Sequence, residues 1–103
     1  VVLMFGANSA FTQGQLEREL KRIGMEKQIF LVTTTTSKTW RDDVNAVYKA
    51  ISEKYSNVHV LDWNEYSKDQ DWFYSHKSYV TEVGAHEEAL FFAKKIYETL
   101  RGN

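Results

Sequence analysis

The sequence predicts an α/β fold of three layers, a parallel sheet with helices flanking it. Two patterns carry that expectation. Short apolar or β-branched runs of five or six residues alternate with longer segments whose apolar residues recur every three or four positions. The resulting order is strand, helix, strand, helix, strand, long loop, helix. Right-handed crossovers then bring the C-terminal ends of parallel strands to one edge, where ligands bind in such sheets.

The first run, Val1-Val2-Leu3-Met4-Phe5, is continuously apolar, too short for a stable helix, and ends at Gly6. It is expected to be a parallel strand covered on both faces. Thr12-Gln13-Gly14-Gln15 has the capping-box pattern, Leu16, Leu20 and Ile23 follow at helical spacing, and Gly24 supplies the stop. Residues 28–33 (QIFLVT) form the second strand, and the threonines at 33–36 lead the chain out of the sheet. Val44, Val47, Tyr48, Ile51 and Tyr55 mark one face of the second helix, with Asp42 and Asp43 in its first turn, where the helix dipole favours negative charge.

Residues 58–63 (VHVLDW) read as the third strand. From 64 to about 83 steady periodicity is lost among aromatic and polar residues, and long loops of that kind are usually functional. The closing helix, 87–100, has Leu90, Phe91, Ala93, Ile96, Tyr97 and Leu100 on what reads as one wide apolar face. No linker, repeat or low-complexity tract interrupts the 103 residues, which form a single α/β domain. The chain opens on a strand and not on methionine, so it is expected to be the C-terminal part of a larger domain. One edge of its three-stranded sheet is then expected to pair with missing N-terminal strands, a second chain or a symmetry mate.

Composition excludes several classes of function. A formal net charge of -1, with no basic cluster larger than Lys94-Lys95, gives nothing to attract nucleic acid. No apolar run nears the roughly 20 residues that cross a bilayer, so no membrane contact is expected of this segment. Without cysteine there is neither a disulfide nor a thiolate, which fits the cytoplasm as well as an extracellular setting. No cofactor motif is present, and no metal is expected. Asp69 and Asp71 with His76 match no established ligand spacing, and loop carboxylates are usually solvated. His59, in a strand, reads as a structural histidine, and His86 lies near a helix N-terminus where a proton is disfavoured.

Chemistry is best sought at the strand ends and in the loop FYSHKSYVTEVGA, residues 73–85. Phe5-Gly6-Ala7-Asn8 after a buried strand, Val32-Thr33-Thr34, Trp40 before Val44-Asn45, Asp62-Trp63, and Thr81 with Gly84-Ala85 occur in that order. This order resembles the later part of SGNH/GDSL hydrolases, most closely the extracellular domain of peptidoglycan O-acetyltransferases. The resemblance spans nearly all of this chain and implies a flavodoxin-like SGNH fold with its N-terminal strands missing. It also implies acyl-ester chemistry through Ser, His and Asp, with Gly6 and Asn8 at the oxyanion-hole position.

The segment that carries the family's serine has no counterpart here. Alignment on Thr81 and Gly84-Ala85 sets His76 where the family has its aspartate and Tyr79 where it has its histidine. Phenols titrate at about 10 and do not serve as near-neutral bases. In a displaced register, His76 would be the base with Asp71 as its partner. Trp63, Trp72 and Tyr74 are candidates for stacking on a sugar ring, although core packing is the more frequent use of aromatic residues.

Three functions stay open. The first is a degenerate or incomplete SGNH-like domain, associated with cell-wall glycan O-acylation, that binds a glycan or acyl ester without catalysis. The second is an active serine acyl esterase or O-acetyltransferase whose nucleophile comes from upstream of Val1. The third is a structural module of a membrane acyltransferase. The resemblance implies an extracellular or cell-surface location.

Overall fold

Alternation along the central strand sets the architecture. In the computed structural model, which describes residues 1–6, 10–75 and 79–102, the strands are β1 (Val2–Leu3), β2 (Ile29–Val32) and β3 (Val58–Leu61). They are parallel, in the order β1-β2-β3, with Val2 opposite Phe30 and Ile29 opposite Val58. Successive strand side chains point to opposite faces. Ile29 and Leu31 therefore enter one core, while Phe30 and Val32 enter a second.

The first core receives Leu16 and Leu20 from α1 (Gln13–Ile23), and Val44, Tyr48 and Ile51 from α2 (Arg41–Lys54). The second receives Trp63 from α3 (Trp63–Ser67) and Phe91 from α4 (Glu82–Arg101). Two crossovers stepping the same way along the sheet bring α1 and α2 to one face. Helix α4 covers the other. The protein is thus a three-layer α/β domain compatible with a flavodoxin-like arrangement.

The predicted end signals of α1 operate as expected. Gln15 N–H donates to Thr12 Oγ1 at 3.2 Å, Thr12 N–H donates to Gln15 Oε1 at 2.8 Å, and Gly24 leaves the helix at φ 117°.

Four expectations need correction. Residues 1–5 are not a strand buried on both faces: only Val2 and Leu3 pair, and Val1, Val2, Met4 and Phe5 are exposed because β1 lies at the sheet edge. The third strand stops at Leu61, since the Asp62 carboxylate accepts from Glu65 N–H at 3.3 Å and turns Trp63 into a helix. Helix α4 starts at Glu82 and not at 87, because Thr81 Oγ1 accepts from Gly84 N–H at 3.2 Å while donating to the Trp72 carbonyl at 3.1 Å. Its apolar residues also divide: Phe91, Phe92 and Ile96 pack inward, whereas Leu90, Tyr97 and Leu100 face solvent.

Candidate functional site

Helix α2 fixes the C-terminal ends of β1 and β2. The buried Tyr48 hydroxyl donates to the Phe5 carbonyl at 2.8 Å and accepts from Phe5 N–H at 3.1 Å. Burial pushes its pKa up to about 12, against the opposing pull of the Phe5 bond. At the N-cap of the same helix, Trp40 Nε1 donates to the Gly6 carbonyl at 2.7 Å. Gly6 itself has φ 93°, and a Cβ there would lie 2.6 Å from Val44 Cγ1, so both conformation and space call for glycine.

Beyond β2, Asn45 acts as a splint for Thr34. Its Oδ1 accepts from Thr34 N–H at 2.8 Å and its Nδ2 donates to the Thr34 carbonyl at 3.0 Å. Thr33 Oγ1 donates to Asp62 Oδ1 at 3.1 Å and accepts from Asn64 N–H at 2.8 Å, which joins the ends of β2 and β3. These backbone groups lie where no sheet partner can satisfy them, and side chains supply the missing bonds.

A cleft of about 200 Å³ opens at this edge. Val32 and Trp63 form its apolar floor, Met4 and Phe5 one rim, Thr33, Thr34 and Thr35 a second side, and Tyr79, Val80 and Glu88 the side toward α4. Glu88 is half-buried, and its carboxyl forms no hydrogen bond or ion pair with another described residue. Desolvation by burial raises its carboxyl above the ordinary value of 4.5. A carboxyl in that setting accepts hydrogen bonds from ligand hydroxyl or amide groups when ionised and donates one when protonated.

The other expected site residues are distributed unevenly. Gly6 is buried at the end of β1, whereas Asn8 and His76 lie outside the described residues. Tyr79 lines the cleft and is 57% exposed. Trp63 is only 2% exposed and stacks on the half-buried Trp72 at 5.7 Å and 10°, so its ring has no open face for a sugar. Tyr74 is exposed but does not line this cleft. His59 Nε2 sits 2.7 Å from Gln28 Oε1, and His86 is exposed on α4. Among the described residues, no three His, Cys, Asp or Glu side chains gather as a metal site would require.

Sequence reasoning missed Glu88 and the splint of Asn45. A signal for Glu88 was present: it follows Gly84 by four and precedes Phe91 by three, which sets one carboxylate on the inward face of α4. No comparable pattern announces Asn45, because its partner is a backbone group after a different element.

No protein-family profile matches the chain. Over 88 residues, 85% of its length, it is 34% identical to a provisionally named O-acetyltransferase of Staphylococcus aureus strain MSSA476. Over the same length it is 33% identical to O-acetyltransferase OatA of S. aureus strains NCTC 8325 and COL. The matched segment is 13% of each relative's length, so this chain spans a small part of the proteins it is similar to. That likeness associates it with proteins of O-acylation.

Proposed function

We propose that this chain is the closing part of an SGNH-like α/β domain in a cell-surface O-acylation protein. In this reading its cleft receives a glycan without completing acyl transfer by itself. The observation that carries the reading is the cleft side formed by Tyr79 and Glu88, where a phenol stands at the position that the resemblance gives to a histidine. A phenol and a half-buried carboxyl suit recognition of a pyranose: the exposed rings of Phe5 and Tyr79 meet its C–H face, and the carboxyl accepts from its hydroxyl groups.

The test pairs two assays on the same chain. Hydrolysis of para-nitrophenyl acetate is expected to stay at the buffer rate, while chitotriose binds in calorimetry. Ester turnover above buffer, or no chitotriose binding, contradicts the reading.

A second reading, an active serine acyl esterase or O-acetyltransferase, is favoured by the exposed edge of β1. Another parallel strand laid along Val2 and Leu3 would end beside Met4 and Phe5, at the rim of the cleft, and could deliver a nucleophile there. A fluorophosphonate probe applied to a longer polypeptide carrying this segment would then form a serine adduct, lost in His76→Ala. Absence of an adduct removes this reading.

A further inference from the structure

Helix α4 is apolar on two opposite sides. Phe91 is buried in the second core with Phe30 and Val32, and Gly84 is buried against Trp72 and Val80. On the far side, Val83, Leu90, Tyr97 and Leu100 are 51–62% exposed. Val83, Leu90 and Tyr97 are seven residues apart, and His86, Ala93 and Leu100 follow each of them by three. This is the a/d spacing of a helix that packs against another helix. A surface helix ordinarily carries one apolar stripe, so a second, exposed stripe along 20 residues, about 30 Å of helix, indicates a partner.

The geometry points to a second copy of this chain as that partner, docked through α4 in antiparallel orientation. In that pairing Val83 meets Leu100, His86 meets Tyr97 and Leu90 meets Ala93, each contact occurring twice about the two-fold axis. The same register sets Glu87 of one copy beside Lys94 of the other, again twice. A parallel pairing would instead bring Glu82 against Glu87, two like charges. The stripe and its flanking charges are therefore self-complementary in the antiparallel direction and not in the parallel one. The flanks also mix signs, with Glu82, Glu87, Lys94, Glu98 and Arg101, whereas a helix lying on an anionic membrane carries a basic polar face.

Sedimentation equilibrium of the 103-residue chain at micromolar to millimolar concentrations tests the proposal. The chain is expected to be a monomer–dimer system, and Leu90→Asp to be monomeric with unchanged circular dichroism. Lys94→Glu turns both cross-pairs repulsive and should weaken the dimer about tenfold, while Glu87→Lys with Lys94→Glu restores it. A monomer at every concentration overturns the proposal. So does association that survives Leu90→Asp, weakening by Lys94→Glu that the double charge swap fails to rescue, or co-sedimentation with phosphatidylglycerol vesicles in place of self-association.

Discussion

The Tyr48 hydroxyl satisfies both backbone hydrogen-bonding groups of Phe5, donating to its carbonyl at 2.8 Å and accepting from its N–H at 3.1 Å. A helix side chain thus supplies the bonds of a residue that lies beyond the end of β1. Tyr48→Phe keeps the ring in the first core and leaves those two groups unsatisfied. A loss of about 1–3 kcal/mol is expected in urea denaturation, with little change in the denaturant slope.

Burial of the same hydroxyl predicts behaviour in alkali. The Tyr48 pKa rises from 10.0 to about 12 on folding, so this group's contribution is whole below pH 10.0 and is lost as pH climbs through about 12. Over that interval the unfolded chain gives up the proton while the native one holds it. Wild-type stability should therefore fall more steeply there than that of Tyr48→Phe, as measured by denaturation at a series of pH values.

Gly84 joins the closing loop to α4. A Cβ at this position would overlap the Trp72 carbonyl and lie 2.8 Å from Trp72 Cβ. That carbonyl already accepts from Thr81 N–H at 2.7 Å and cannot retreat without losing the bond. Gly84→Ala should cost about 1–3 kcal/mol through overpacking, despite alanine's higher helix propensity. Thermal unfolding of the variant checks this, and an unchanged or raised midpoint contradicts it.

Glu88 should reduce stability near neutral pH. Burial raises its folded pKa above 4.5, so its favourable contribution is present below the unfolded value and disappears as pH rises through the folded one. Glu88→Gln cannot ionise. The variant should melt higher than wild type near neutral pH, with the difference shrinking as pH falls below 4.5.

Helices α1 and α2 and the layer order were legible because their causes are local. Thr12, Gln15 and Gly24 bound α1, and the apolar spacing in α2 selects Val44, Tyr48 and Ile51 for the core. Burial of β1 was not legible, since an apolar run reads alike in the centre of a sheet and at its edge. The start of α4 was missed because Thr81 works as a cap only when the Trp72 carbonyl is within reach, a contact made across the loop. Of the residues lining the cleft, Tyr79 could be named from the order of motifs. Glu88 became visible only once the sheet and α4 gave its face a direction.

In the proposed function, the cleft between the strand ends and α4 is the ligand site. Amide shifts followed by heteronuclear NMR during a chitotriose titration test it most directly. Saturable shifts are expected to cluster at Thr34, Thr35, Tyr79, Val80 and Glu88, and to be lost in Glu88→Ala. No shifts at the highest ligand concentration, or shifts confined to residues outside the cleft, would contradict it.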